Sequence, residues 1–369
     1  MTSETTPPRV RRIAINTGGG DAPGLNAVIR AATLAALGNG WEVLGIRRGY
    51  TGLLEGEVDG EPGVFPLTAH SVRGITHLGG TILGTTTRGN PFGLDVRQPD
   101  GTWGTVDRSD EIVRRFRELE IDALIAIGGD GSLNIAHALY EKGLPVIGVP
   151  KTIDNDLRAT DVTFGFFTAV EVATDAIGRL HSTAEAHQRA MVVQVMGRHT
   201  GWIALESGLA GGADVILIPE IPYSVDRIAD KVRERDAHGR RFSIVVVAEG
   251  AHPAGGSPSY VDPSGRYGGI ADRIAEEIAA STGKETRSMV LGHIQRGGSP
   301  IAYDRNLSLR FGAAAVRCIH DGNLGTMVAL QGDVIRAVPL KDAVSAIKRV
   351  PLDNDRIVTA RQLGISFGD

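Results

Sequence analysis

Three consecutive glycines, Gly18–Gly20, stand between a short apolar run, Ile13–Asn16, and a stretch with apolar residues at helical spacing, Leu25–Leu37. A strand that runs into glycines and then into a helix needs backbone that turns sharply and lets something approach closely. The helical stretch ends at Gly38 and Gly40, and a second apolar run, Glu42–Ile46, follows it. Strand, glycine loop, helix, strand is the start of a parallel α/β unit.

The same order returns further on. A charged helix ends over Arg114–Leu119, Ala123–Ile127 is an apolar strand, Gly128–Ser132 follows it, and Leu133–Tyr140 is helical. Pro145–Pro150 is the next strand and leads directly into Lys151–Asp156. Ala190–Val195 and Phe242–Ala248 are continuous apolar runs, as strands buried on both faces are. Val172–Glu185 and Val225–Arg235 are helical, and Thr81–Leu83 and Ser288–Leu291 are short strands. The expected fold is a doubly wound α/β protein with ligands at the carboxyl ends of its strands.

Composition narrows the function classes. Glycine accounts for 49 of 369 residues, against a typical share of about 7 %. Formal charge is −4 from 39 basic and 43 acidic residues, with no basic stripe of the kind nucleic acid requires. The single cysteine, Cys318, excludes an internal disulfide framework and reads as a small buried residue. No run reaches the roughly 18 apolar residues of a membrane span. Met1–Arg12 has no apolar leader region. These features lead to the expectation of a soluble, cytoplasmic protein.

Three loops carry the chemistry. Gly18–Asp21 leaves backbone N–H groups open to an anion at the positive end of a helix, although a tight strand–helix turn would use the same residues. It matches neither the GxGxxG nor the GxxxxGK[ST] pattern. Gly128–Ser132 offers a second such loop, and Asp130 adds a carboxylate where a hard cation bridging phosphates needs an oxygen ligand. Lys151–Asp156 places Lys151, Thr152, Asp154 and Asp156 at the end of a buried strand. Phosphoryl transfer to an alcohol needs a base at the hydroxyl and positive charge around the moving phosphate. Asp154 suits the first role, Lys151 the second, and Asp156 a supporting one. An Asx-rich turn is the alternative reading of that loop. Arginines in Thr85–Asn90, Met196–Gly201 and His293–Gly298 add planar, phosphate-matching donors.

Taken together, GGGDAPGLNAVIR, GGTILGTTTRGNPF, IGGDGS, PKTIDND, MGRHTGW, VAEG and LGHIQRGG resemble, in order, the motifs of the phosphofructokinase family. The resemblance runs from about Arg12 to the end of the chain. It implies two Rossmann-like lobes with mostly parallel sheets and the active site in the cleft between them. Residues 12–165 with about 295–330 would bind the phosphoryl donor and Mg2+, and about 166–294 with 331–369 the sugar phosphate, leaving 1–11 as a disordered tail. Gly20, Arg88, Gly129, Asp130, Gly131 and Ser132 would contact the donor, Asp130 holding the metal. Asp154 would take the proton of the acceptor hydroxyl, with Lys151, Asp156 and Arg198 assisting catalysis. Thr152, Ile153, Met196, Gly197, Arg198, Glu249, His293, Ile294, Gln295 and Arg296 would bind the acceptor. Arg189 and Arg287 resemble arginines that reach the acceptor's phosphate from a neighbouring subunit, which implies a homodimer or homotetramer.

The resemblance implies ATP-dependent phosphorylation of fructose 6-phosphate at its 1-hydroxyl, a glycolytic step. Pyrophosphate-using members tend to carry aspartate where this chain has Gly131, which favours ATP, whereas Lys151 is shared with pyrophosphate users. The family's FGFDTA segment reads Phe164–Ala169 here, with Phe167 in place of the acidic residue. Pyrophosphate as donor, or a related acceptor such as sedoheptulose 7-phosphate, therefore stands as the alternative.

Overall fold

A computed structural model describes residues 10–98, 100–260 and 267–369. The chain divides into two compact units. The first holds the residues up to Thr152, Leu157–Gly165 and Gly297–Ile347; the second holds Ile153–Asp156, Phe166–Arg296 and Lys348–Asp369.

The first unit begins with β1 (Arg12–Thr17), α1 (Leu25–Gly38), β2 (Glu42–Ile46) and α2 (Thr51–Glu55). Two small hairpins follow, β3 (Glu57–Val58) with β4 (Glu61–Pro62), and, after β5 (Val64–Pro66), β6 (Leu94–Arg97) with β7 (Trp103–Val106). Then come α3 (Ser109–Glu118), β8 (Ala123–Gly128), α4 (Asp130–Glu141) and β9 (Val146–Pro150). The second unit supplies α5 (Phe166–His187), β10 (Ala190–Val195), α6 (Trp202–Ala210) and β11 (Val215–Leu217). It continues with α7 (Val225–Ala237), β12 (Ser243–Ala248), α8 (Ile270–Thr282) and β13 (Thr286–Val290). The chain returns to the first unit for α9 (Ala302–His320), β14 (Thr326–Gln331), β15 (Val334–Pro339) and α10 (Leu340–Ala343), and finishes in the second with α11 (Asp355–Gln362).

Among the described residues the first unit's main sheet has the order β15-β14-β9-β8-β1-β2-β5. β2, β1, β8, β9 and β14 run parallel, and β5 and β15 close the edges antiparallel. Side chains alternate across it, as the two-residue strand period demands. Ile13 and Ile15 pack with α1 and α9 on one face, whereas Ala14, Leu124 and Ala126 pack with α2, α3 and α4 on the other. Every residue of β8 is buried, which explains its unbroken apolar sequence. Cys318 lies buried in the core shared by α1 and α9. The second unit has a parallel sheet of order β11-β12-β10-β13. Val192, Val245 and Val247 face Ile228, Ile270 and Ile274 of α7 and α8 on one side of it.

Several expectations shift. Thr81–Leu83 forms no strand; it is a turn hung on the buried Asn26 of α1, whose Oδ1 accepts the Ile82 N–H at 2.9 Å. Arg88 therefore sits in a loop and not at a strand end. Helix α4 starts at Asp130 and not Leu133, because the extended backbone of Gly129 releases the chain directly into the first turn. Helix α5 starts at Phe166, six residues ahead of the expected Val172. Residues 331–347, expected in the sugar-phosphate lobe, belong to the first unit, since β15 pairs along its whole length with β14. Of the expected tail, residues 1–9 lie outside the described residues, but Arg11 is fixed by its N–H donating to Asp122 Oδ2 at 2.7 Å.

Candidate active site

In the first unit, parallel pairing of β1 with β8 and of β8 with β9 sets three loops next to one another at the carboxyl ends of the strands. The Gly18 N–H donates to the Ile127 carbonyl at 2.9 Å and the Lys151 N–H to the Gly128 carbonyl at 2.9 Å, continuing the ladder into the loops. Ser132 fills the space that only glycine leaves: a Cβ on Gly18 would lie 2.7 Å from Ser132 Oγ, and one on Gly128 would lie 2.3 Å from Ser132 Cβ. Lys151, 3 % exposed, reaches back to donate from Nζ to the carbonyl of Gly20. The Arg88 loop joins the group through Gly19, whose N–H donates to the Thr86 carbonyl at 3.0 Å and whose carbonyl accepts from Thr85 Oγ1 at 2.6 Å. Gly20, Gly129–Ser132 and Lys151 are thus assembled in one place, with exposed Arg88 on an adjoining loop.

The N-terminus of α4 opens this site. Asp130 lies in its first turn, where an acidic side chain meets the positive end of the helix. Asp130 Oδ1 accepts from Asn134 Nδ2 at 3.1 Å, so its position is set from one turn further along. A Cβ on Gly131 would meet nothing within 4 Å, so the space beside the helix start is open there. Thr152 is held through its carbonyl, which accepts from the fully buried Thr163 hydroxyl at 2.7 Å.

In the second unit the acceptor candidates collect at the carboxyl ends of β10, β12 and β13. The Glu249 N–H donates to the Val195 carbonyl at 3.0 Å and the Gly250 N–H to the Gly197 carbonyl at 3.1 Å, stitching the Met196–Arg198 turn to the end of β12. A side chain at Gly250 would begin 2.0 Å from the Arg198 carbonyl, which explains the glycine there. Burial pushes the Glu249 carboxyl above the usual carboxylate range, and the cations of Arg296 and Arg198 pull it part of the way back. Glu249, Arg198 and Arg296 therefore form one electrostatic group. The fully buried Gln295 places Met196, whose N–H donates to Gln295 Oε1 at 3.3 Å. His293 and Ile294 are exposed on the same short 3-10 turn. Asp154 is half-buried, and its carbonyl accepts from Thr200 Oγ1 at 3.2 Å.

Some expected site residues stand apart. The Ile153 side chain is fully buried, which leaves only its main chain to meet a ligand, and buried Gln295 acts through Met196. Arg189 precedes β10 and Arg287 is the second residue of β13, so both lie at the amino ends of strands whose carboxyl ends carry Met196 and His293. A six-residue strand spans about 20 Å. Arg189 and Arg287 instead flank Glu285, with nitrogen–oxygen separations of 2.8 and 2.6 Å.

Sequence reasoning passed over four supports of the site. Asn26 clamps the 78–82 turn through Leu78, Gly79 and Ile82. Tyr267 lies under the Arg198 guanidinium, 5.1 Å from carbon to ring centre. Glu220 accepts from the Gly201 N–H at 3.1 and 3.2 Å, and Lys348 meets Asn155. Asn26 stands inside a quoted motif and was within reach; the others act across long sequence separations and leave no local pattern.

Comparison with known proteins identifies the family. The family profile described as Phosphofructokinase matches residues 12–319. The chain is 55 % identical over 359 residues to a Chloroflexus aurantiacus protein named ATP-dependent 6-phosphofructokinase, covering 97 % of this chain and 98 % of the relative. It is 49 % identical over 350 residues to an Amycolatopsis mediterranei protein named pyrophosphate–fructose 6-phosphate 1-phosphotransferase, covering 93 % and 97 %. Its fold matches the crystal structure of Pichia pastoris phosphofructokinase in the T-state with a TM-score of 0.78 and 34 % identity. That match covers 91 % of this chain but only 36 % of the longer yeast chain. A family profile over residues 12–319 and a relative 55 % identical over nearly the whole of both chains together show that the protein belongs to the phosphofructokinase family.

Proposed function

We propose that this chain is an ATP-dependent 6-phosphofructokinase, transferring the γ-phosphoryl group of ATP to the 1-hydroxyl of fructose 6-phosphate. The products are fructose 1,6-bisphosphate and ADP. The observation that carries the reading is the open space at Gly131 beside the gathered Gly20, Ser132 and Lys151. A donor larger than pyrophosphate has room to extend there. Lys151 and the name of the Amycolatopsis relative favour pyrophosphate as the second reading.

Each residue has a role that fits its setting. N–H groups at Gly131 and Ser132 in the first turn of α4 face the donor's phosphates, and the Lys151 ammonium adds fixed positive charge near them. Asp130 suits Mg2+, which keeps several waters and needs only one or two protein carboxylates beside the phosphates. Bound there, the ion would supply neutralisation of charge on the donor phosphates. Asp154 takes the proton from the 1-hydroxyl as its oxygen bonds to the γ-phosphorus, while the bond to the ADP oxygen breaks. Asp156 supports that loop. Arg198, Arg296 and His293 grip the acceptor's phosphate, and Glu249 accepts hydrogen bonds from its hydroxyls.

Arg189 and Arg287 act, in this reading, on the acceptor of a neighbouring subunit, so the enzyme is a homodimer or homotetramer. The proposed setting is the cytoplasm; among the described residues no helix is long and apolar enough to cross a membrane. Phe167 is the second residue of α5, its ring 5.0 Å from that of Phe166, an apolar contact in place of the family's acidic residue. The test is product analysis by phosphorus NMR after incubation with ATP, Mg2+ and fructose 6-phosphate. The expected result is fructose 1,6-bisphosphate from the native protein and none from Asp154→Asn; sedoheptulose bisphosphate formed in preference from mixed acceptors would reassign the substrate.

A further inference from the structure

Between Asp154 and Asp156, Asn155 is buried and holds a left-handed backbone conformation with φ of 50°. Asparagine enters this region more readily than other residues with a Cβ. The turn at Asn155 sets the direction in which its two acidic neighbours leave the chain. What holds it within the second unit comes from the far end of the sequence. Lys348 Nζ donates to Asn155 Oδ1 at 2.9 Å, and the Lys348 N–H donates to the Asp156 carbonyl at 2.7 Å.

Lys348 is itself fixed by Trp202, the first residue of α6. The indole Nε1 donates to the Lys348 carbonyl at 2.9 Å, and the Lys348 ammonium lies 5.7 Å from the centre of the same ring. Two residues later the Val350 N–H donates to Glu220 at 3.0 Å. That carboxylate also accepts from Gly201, next to Thr200, whose hydroxyl meets the Asp154 carbonyl. The main chain of the Asp154–Asp156 turn is thus gripped from one side by Thr200 and from the other by Lys348. A cation bonded to a buried side-chain oxygen is a stronger anchor than a neutral donor would be.

We propose that Lys348 is a positioning residue for phosphoryl transfer, holding the left-handed turn at Asn155 so that Asp154 meets the acceptor hydroxyl. This rests on the reading of Asp154 as the proton acceptor. Near-attack geometry is sensitive: a displacement of about 1 Å costs on the order of 100-fold in rate. Lys348 does not belong to the donor loops, so its loss falls on turnover and not on the affinity for ATP.

The experiment compares Lys348→Met, Lys348→Arg, Asn155→Gly and the Lys348→Met/Asn155→Gly double variant, with Asp154→Asn as reference. Steady-state kinetics and circular dichroism are recorded for each. Glycine keeps the left-handed turn accessible and removes only the accepting side chain, so Asn155→Gly folds even if Lys348→Met does not. Both single variants should lower kcat by roughly 10- to 100-fold with KM for ATP unchanged. Lys348→Arg should recover most of the rate, and the double variant should be no slower than the slower single one, because both changes remove the same contact. Wild-type kcat in Lys348→Met or Asn155→Gly, or losses that multiply in the double variant, would overturn the positioning role while an inactive Asp154→Asn keeps the base assignment. Full turnover in Asp154→Asn would overturn both.

Discussion

The ammonium of Lys151 donates to the carbonyl of Gly20, so a single buried side chain joins the end of β9 to the loop after β1. Lys151 therefore holds these loops in shape, and in the proposed function it also adds charge beside the donor's phosphates. Lys151→Met should lower kcat by about 10²-fold, as loss of one preorganised donor does. It should also cost about 1–3 kcal/mol in urea unfolding, because the Gly20 carbonyl loses a buried partner. Wild-type stability with reduced kcat would leave Lys151 a purely electrostatic role.

Two glycines three residues apart should respond in opposite ways. A Cβ on Gly128 would lie 2.3 Å from Ser132 Cβ, whereas one on Gly131 meets nothing within 4 Å. Gly128→Ala should destabilise the fold by about 1–3 kcal/mol through overpacking. Gly131→Asp should fold normally, with a carboxylate well placed in the first turn of α4. Its negative charge should cut kcat/KM for ATP at least about 10-fold while affecting pyrophosphate less, since 1.4 kcal/mol of repulsion is enough for that ratio. Donor kinetics and urea unfolding on both variants check this.

The shape of the candidate donor loops was legible because glycine reports backbone directly: Gly18, Gly128 and Gly131 mark the close approaches and the open space without knowledge of distant residues. Strands such as β8 and β10 were legible because burial on both faces writes an unbroken apolar run. The start of α4 was hidden because Gly129–Ser132 has the composition of a turn while its last three residues already wind as helix. The Thr81–Leu83 segment has strand composition, yet Asn26 accepts the Ile82 N–H and the Thr81 hydroxyl that of Leu83, so neither pairs with a neighbouring strand. Lys348 was beyond reach, since 193 residues separate it from Asn155 and a lone lysine after an irregular stretch carries no pattern. Roles that depend on a second subunit, as for Arg189 and Arg287, came from resemblance alone.

Glu220 gives stability a pH dependence of known sign. Burial holds its carboxyl above the usual carboxylate value, against the N–H groups of Val350 and Gly201 and the charge of Arg349, which pull it down. With the folded value raised, the folded state binds the proton more tightly than the unfolded one. Its contribution is therefore fully present below the unfolded value and is lost as pH rises through the folded one. Melting temperatures of the native protein and Glu220→Gln should differ most in the native protein's favour near pH ~4 and less at neutral pH. A difference that grows toward neutral pH would contradict the sign.

Arg287 and Asp154 should complement one another across subunits. Arg287→Ala should raise KM for the sugar phosphate with kcat less affected, and Asp154→Asn should abolish turnover. With the sugar phosphate held well below the KM of Arg287→Ala, unfolding and refolding an equal mixture should regain about a quarter of native activity in a dimer, because one mixed site in half of the molecules receives both native residues. No gain over the separate variants would place Arg287 outside the site.

The most direct test of the central reading is turnover of fructose 6-phosphate with Mg2+ and either ATP or pyrophosphate at matched concentrations. Fructose 1,6-bisphosphate should form with ATP, and little or none with pyrophosphate. Turnover with pyrophosphate alone would contradict this reading and transfer the choice of donor from the open space at Gly131 to the ammonium of Lys151.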